Sequence, residues 1–258
     1  MSMAWLSLAR GRVGRLLMPL AFALLASACA TVPPGERVRA DPFEGFNRSV
    51  FAVNEAVDTA VVKPAAQIYQ KVVPHWLRTG IDNVYGNLGD IWSGANMLLQ
   101  GKFQRALETG IRVGVNTVFG LVGFHDVADE AGIPRHSSED FGQTLGVWGF
   151  KPGPYLMLPL LGPSNIRDGL ALTLDASGGG VGVVLKDPGD RNAATVLQLL
   201  QTRVRLLGAG QFLDDIALDK YLLLRDAYLS RRRNLVYDGE PPEDELPPPD
   251  PGAVRDKK

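Results

Sequence analysis

DPFEGFNRSVFAVNEAVDTAVVKP, residues 41–64, opens the foldable part of the chain, and its spacing decides the fold class. Asp41 is a residue type that caps helices, and Pro42 suits a first helical position, where its missing N–H costs nothing. Behind them Phe43, Phe46, Val50, Val53, Val57 and Val61 recur at steps of three and four, the period of one helix face. An amphipathic helix is expected here, ending near Lys63-Pro64 because proline removes a backbone donor and crowds the preceding turn.

The same period returns toward the C-terminus. A second helix is expected from Pro74 through Trp76, Leu77, Ile81, Val84 and Tyr85, continuing over Leu88 to Gln100. Gly86, Gly89 and Gly94 weaken that continuation by up to about 1 kcal/mol each, which predicts either a break or close packing against a neighbour. Gly101 is the expected C-cap. Phe103, Leu107, Ile111, Val115 and Val118 mark a third helix, and a long loop is expected from Gly120 to Gln143. Residues 145–163 are strongly apolar, yet their glycines and prolines forbid a long regular helix, so the segment needs an apolar environment other than a helix face. Ser164-Asn165 should cap a short helix to about Leu174. Two further helices are expected over Arg191 to Leu207 and Phe212 to Arg232, the last with a broad apolar surface. The expected fold is therefore mainly α, one domain spanning about residues 41–237.

What lies outside that domain reads differently. Arg10, Arg12 and Arg15 precede an apolar run from Leu16 to Ala28, too short for a helix that needs about 20 residues to cross a bilayer. Residues 1–28 are expected to be a cleavable signal peptide ending in Ala26-Ser27-Ala28-Cys29, a small-small-Cys sequence that resembles a lipobox. Cys29 is the single cysteine of 258 residues, so no internal disulfide is possible, and acylation explains an exported lone thiol. Ala30 stands where aspartate would resemble an inner-membrane retention signal, which favours the outer membrane. Residues 29–40 read as a flexible tether, and residues 238–258 as a disordered acidic, proline-rich tail. Without Arg10, Arg12 and Arg15, the remaining 24 basic residues face 28 acidic ones, a balance that argues against nucleic-acid binding.

Motifs for chemistry are sparse. His125-Asp126 and His136-Ser137-Ser138-Glu139-Asp140 place a base, hydroxyls and carboxylates near one another, so a phospholipid-hydrolysing enzyme using His136 with Ser137 or Ser138 is one reading. Neighbours on one chain rarely aim at each other, no Gly-x-Ser-x-Gly elbow occurs, and capping by Ser137, Ser138 and Asp140 is the competing role. Neither metal-ligand spacing nor a phosphate-binding loop is present, so no cofactor or metal is expected. Arg231-Arg232-Arg233 suits either acidic lipid head groups or a helix C-terminus.

Asp41-Pro42-Phe43-Glu44-Gly45-Phe46-Asn47-Arg48 after a lipoprotein tether, Val62-Lys63-Pro64, Asn83-Val84-Tyr85-Gly86-Asn87-Leu88, Asn116-Thr117-Val118-Phe119-Gly120, and Gly123-Phe124-His125-Asp126-Val127-Ala128 form an ordered set of blocks. Glu139-Asp140-Phe141-Gly142-Gln143-Thr144-Leu145-Gly146, Gly153-Pro154-Tyr155-Leu156-Met157-Leu158-Pro159 and Ser164-Asn165-Ile166-Arg167-Asp168 continue it. Over residues 41 to 232 the chain resembles the MlaA/VacJ outer-membrane lipoproteins. The resemblance implies a ring-like helical protein in the inner leaflet of the outer membrane, whose central channel passes misplaced outer-leaflet phospholipids to a periplasmic lipid-carrier protein. It also implies association with a trimeric porin, and a transport component that is not an enzyme. A structural lipoprotein that merely stabilises a porin is the remaining alternative. Two apolar, glycine-bearing stretches are the expected channel or hinge elements: Gly120, Leu121, Val122, Gly123 and Phe124, and the segment from Gly146 to Leu161 with Trp148, Gly149, Pro154, Tyr155 and Leu156.

Overall fold

The structure, a computed structural model, describes residues 41–180 and 184–242. Cys29, the signal peptide, the tether and most of the acidic tail lie outside the described residues. Helices α1 (Glu44–Val57), α2 (Lys63–Val72), α3 (His75–Leu99), α4 (Phe103–Phe119), α5 (Val127–Glu130) and α6 (Phe141–Val147) come first. Strands β1 (Tyr155–Leu158) and β2 (Gly162–Asn165) follow, then α7 (Ile166–Gly178), α8 (Pro188–Ile216) and α9 (Lys220–Val236).

The first helix does not stop at Pro64. Between α1 and α2 the backbone widens into one π turn, Asp58–Val62, in which the Lys63 N–H reaches back to the Asp58 carbonyl. Pro64 then sits in the first turn of α2, where it needs no donor. Asp41 is not the cap either. It is fully buried, and its carboxylate accepts from Asn47 Nδ2 at 2.8 Å and from the Tyr221 hydroxyl, tying the start of the domain to α9.

Helix α3 runs unbroken through its glycines, because some of them are places of close approach. A Cβ on Gly80 would lie 2.1 Å from the Phe124 ring, and one on Gly86 would lie 2.9 Å from Arg135. At the C-terminus of α3, Gly101 takes φ 77° as expected, with Lys102 N–H on the Met97 carbonyl and Gly101 N–H on that of Leu98. Residues 145–163 form the end of α6 and an antiparallel hairpin that sequence reading did not anticipate, pairing Tyr155 with Asn165 and Leu158 with Gly162. Asn165 caps α7 by accepting from Asp168 N–H, and α7 continues past the expected Leu174 to Gly178. Helix α8 carries Gly208 and Gly210 inside it, so the break expected near 208–211 falls instead before α9, where Asp219 is the cap.

Packing closes on itself. Helix α1 lies on β1, β2 on α9, α9 on α6, α6 on α3, α3 on α8 and α8 on α2, which runs back into α1 through the π turn. That closed circuit is the ring-like arrangement. An apolar cluster lies at one arc of it, where Val50, Tyr155, Met157 and Tyr221 pack with Phe51 and Tyr228. The Tyr155 ring meets Tyr221 at 6.2 Å and Tyr228 at 6.0 Å, both edge-on.

Candidate functional site

Helix α4 is inside out relative to a helix of a water-soluble protein. Its buried residues are Ala106, Thr109, Arg112 and Asn116, while Phe103, Leu107, Ile111, Val118 and Phe119 on the other side are exposed. Helix α3 repeats the pattern, burying Asn87, Ser93 and Asn96 and exposing Trp76, Ile91, Leu98 and Leu99. Among the described residues, polar and charged side chains outnumber apolar ones in the buried set. Exposed single apolar residues are ordinary, but whole helix faces of them mark a surface meant for something other than water. No helix among the described residues is long and apolar enough to cross a membrane.

Several of the buried polar groups are organised into networks. Arg112 donates twice to Asp126 at 2.8 Å and once to the Ile133 carbonyl at 2.6 Å. Asn116 donates to Asp126 and accepts from Ala128 N–H, so α4 grips both sides of the loop that follows. Asn47 accepts from Met157 N–H and donates to the Tyr155 carbonyl, joining α1 to β1. A low-dielectric interior makes such networks strong when they are complete.

The first expected hinge element is held by these networks. Leu121 and Val122 both take left-handed backbone angles, φ 52° and 60°, and both side chains are exposed. For a β-branched residue this is strained, of order 1–3 kcal/mol, and it persists because hydrogen bonds over-determine the turn. Val122 N–H bonds to the Thr117 carbonyl, Gly123 N–H to Asn116 and His125 N–H to Gly120. A Cβ on Gly120 would stand 2.2 Å from the His125 carbonyl oxygen, so only glycine fits there. Phe124 packs on Gly80, stacks edge-on against Trp76 at 6.3 Å, and gives its carbonyl to Asn83. The result is a knuckle that presents two apolar side chains outward from the N-terminal half of α3.

The second stretch lies elsewhere. Gly146 is pressed beneath Arg167 and Val236, Gly149 has φ 90° with open space around it, and half-exposed Trp148 donates to the Leu99 carbonyl. The Pro154 carbonyl accepts from Ile166 N–H. Asn54 holds the hairpin tip by bonding Leu158 and Leu160, leaving Leu160 and Leu161 exposed. Tyr155 is wholly buried in the apolar cluster and Leu156 is half-buried on the other side of the strand, so within this stretch the open apolar surface belongs to the tip and to Val147, Trp148 and Phe150. The structure does not bring the two stretches together: one packs along α3 from Gly80 to Asn87 and the other near Leu99, about 18 Å beyond Asn87 at 1.5 Å per residue.

A charged clasp joins α9 to the elements on either side of the second stretch, the start of α6 and α7. Arg232 donates to Asp140 from both terminal nitrogens and lies in an ion pair with Asp168, Nε to carboxylate 2.8 Å, and the Tyr228 hydroxyl donates to Asp168 at 2.7 Å. Burial alone would raise the Asp140 and Asp168 pKa values, but hydrogen bonds to Arg232 and its charge outweigh it and hold both below the usual carboxylate range. Both folded values are depressed, so the clasp contributes stability that is present above the unfolded carboxylate pKa of about 4 and is lost as pH falls through the depressed values. Thermal unfolding of Arg232→Gln beside the parent should show the largest gap near neutral pH, and the gap should shrink as pH drops below about 4. A gap independent of pH would remove the clasp from the stability account.

The histidine readings resolve geometrically. His136 Nε2 pairs with Glu108 on α4 at 2.5 Å, and neither the Ser137 nor the Ser138 hydroxyl is a partner among the described residues. Asp140 caps α6 by accepting from Gln143 N–H, as the sequence led one to expect. His125 stacks on Phe124, while Asp126 is occupied by Arg112 and Asn116.

The profile of the MlaA lipoprotein family matches residues 39–235. The chain belongs to the MlaA lipoprotein family. It is 33% identical over 221 residues to the Escherichia coli K12 protein named intermembrane phospholipid transport system lipoprotein MlaA, covering 84% of this chain and 86% of that one. The Haemophilus influenzae MlaA is 29% identical over 237 residues, 87% of this chain and 91% of its own. A solved structure described as "Structural basis for maintenance of bacterial outer membrane lipid asymmetry" superposes with a TM-score of 0.69 at 31% identity, covering 77% of this chain and 100% of the other. These MlaA relatives span the whole folded domain, so the inverted helices and the ring belong to the matched region and not to an appendage.

Sequence reading missed the buried polar set. The signal was available: Thr109, Arg112 and Asn116 recur at steps of three and four as regularly as Leu107, Ile111, Val115 and Val118. Polar periodicity of that kind is ordinarily assigned to water, and here the assignment inverts.

Proposed function

We propose that this chain moves phospholipid at a bacterial outer membrane, taking misplaced phospholipids from the outer leaflet and passing them to a periplasmic carrier, and so maintains lipid asymmetry. The observation that carries the reading is the inversion of α3 and α4, whose apolar faces are exposed while asparagine, threonine and arginine are buried. A body with that surface rests in acyl chains, and its polar interior suits head groups. The names of its relatives, which specify intermembrane phospholipid transport, support the same function. A phospholipid with roughly 30 tail methylenes would meet a water-exposure cost on the order of 25 kcal/mol, so transfer requires a sheltered path. An acylated Cys29 would place the body in the inner leaflet, and a trimeric porin would lie beside it. The Leu121–Val122 knuckle and the Gly146–Leu161 stretch are the elements that gate the path.

The work is passive and non-enzymatic. The pairing of His136 with Glu108 favours this over hydrolysis, since that imidazole is directed at a carboxylate and not at a hydroxyl. Deleting the gene should raise surface phospholipid, measured by its accessibility to phospholipase added outside the cells, and should increase detergent sensitivity. Unchanged surface phospholipid in a clean deletion would overturn the proposal. Loss of a porin without a lipid change would indicate a structural tether, and lysolipid release by the purified protein would indicate an enzyme.

A further inference from the structure

Asp90 is a half-buried carboxylate on α3 that no hydrogen bond and no ion pair reaches among the described residues. Asn83, Gly86 and Asn87 share its face of the helix, at steps of three and four. That face meets the knuckle: Asn83 donates to the Phe124 carbonyl at 3.1 Å, and a Cβ on Gly123 would lie 2.8 Å from that of Asn87. Asn87 donates to the Thr117 hydroxyl at 3.0 Å, but its own carbonyl oxygen is buried with no hydrogen-bond partner. Two acceptors within one turn of each other therefore lack a donor, and such groups are rare enough in folded proteins to ask for a reason. Burial pushes the Asp90 carboxyl upward, and the guanidiniums of Arg135 and Arg112 offset that only in part.

A cation stands beside them. Arg135 comes from the loop after α5, which Arg112 fixes by donating to the Ile133 carbonyl at 2.6 Å. The Arg135 fork lies over Gly86, where a Cβ would be 2.9 Å from Nη2, and Gly86 is one turn before Asp90, about 6 Å at 1.5 Å per residue. Its ion pair is loose: Nη1 is 3.5 Å from Asp126, whose carboxylate already accepts twice from Arg112 and once from Asn116. The Arg135 side chain is 52% exposed, so the fork is open to a further partner. A bare metal ion does not suit this arrangement, because Arg135 would repel it and no three carboxylates or imidazoles converge to hold one among the described residues. A molecule that carries both charges close together does suit it, with an anion for the fork and an ammonium for Asp90.

We infer that this face of α3 reads the head group of a zwitterionic phospholipid, with Arg135 on the phosphate and Asp90 on a primary ammonium, as in phosphatidylethanolamine. The two charges of that head group are joined through two methylenes, a reach that suits partners one helical turn apart. A primary ammonium has three N–H donors, which the Asp90 carboxylate and the Asn87 carbonyl can accept. A quaternary ammonium has no N–H to give, and a glycerol head group brings no positive charge to the carboxylate. The inference rests on the lipid-transport reading for its ligand and gives that reading a head-group preference.

The test uses the full chain in a maltoside detergent, titrated calorimetrically with the dihexanoyl forms of phosphatidylethanolamine, phosphatidylcholine and phosphatidylglycerol. The ethanolamine lipid should bind at least about tenfold more tightly than the other two, the scale of a hydrogen bond to a charged group. Asp90→Asn keeps the shape and removes the charge, so it should erase that preference and leave the choline lipid binding as before. Arg135→Gln should weaken all three lipids about tenfold. Gly86→Ala should act in the same direction without altering any charge, because the added methyl pushes the fork aside. Alanine is also the better helix former, so helical content should be retained and misfolding is told apart from loss of the site. Equal binding of the ethanolamine and choline lipids by the parent overturns the inference, as does a preference that survives Asp90→Asn. Parent-like binding by either Arg135→Gln or Gly86→Ala overturns it too. Failure here with raised surface phospholipid in the deletion strain leaves the transport reading intact. Asp90-dependent binding of the ethanolamine lipid with no change in the deletion strain would do the reverse.

Discussion

Arg112→Ala is expected to cost about 3 kcal/mol of folding stability and to stop lipid movement, although the residue touches no surface. Its side chain is 2% exposed and bonds Asp126 twice and the Ile133 carbonyl once. Removing one partner of a buried ion pair typically costs about 3–5 kcal/mol, and the lower end applies because Asp126 is 20% exposed and retains Asn116 and a longer contact to Arg135. The functional loss has a separate cause. Asp126 and Asn116 anchor the chain immediately after the knuckle, so their release lets Leu121 and Val122 relax out of the left-handed region. Denaturant unfolding followed by helical signal reads the first effect, and surface phospholipid in complemented deletion cells reads the second. Full stability with Arg112→Ala would mean that the ion pair contributes nothing net. Retained transport with lost stability would detach the knuckle from the path.

Lysines at Leu107 and Ile111 together should abolish the affinity of the body for lipid while leaving the fold in place. In a helix facing water such changes fall within about 0.5 kcal/mol, since both side chains are already exposed. At the depth of acyl chains each lysine costs up to about 2.5–3.5 kcal/mol, so the pair opposes insertion by several kcal/mol. The Cys29→Ser chain separates the body's own affinity from that of any anchor. That chain should float with phospholipid vesicles, and the version carrying Leu107→Lys and Ile111→Lys should stay in the aqueous fraction with the same helical content. Equal flotation would place this face of α4 away from the membrane.

The helices were legible because apolar side chains at a 3.6-residue period write the same pattern whether the face meets a core or a bilayer. For that reason Phe103 through Val118 predicted the extent of α4 well and its orientation not at all. Pro64 misled because a π turn absorbs the missing donor, and the sequence pattern carries no mark of that. The hairpin at Tyr155–Asn165 stayed hidden among glycines and prolines, since its four-residue strands are shorter than any reliable alternation. Of the candidate site, the two glycine-bearing stretches were visible as anomalies, but Tyr155 proved to be core.

Spin labels placed one at a time at Leu107, Ile111, Val118, Ile68 and Leu161 in membrane-held protein test the lipid-facing surface most directly. If these faces lie in acyl chains, relaxation by oxygen should exceed relaxation by a water-soluble nickel chelate at all five, with the reverse at the exposed polar residue Glu130. Labels at the five apolar positions relaxed mainly by the chelate would contradict the inside-out arrangement and, with it, the account of how this chain handles lipid.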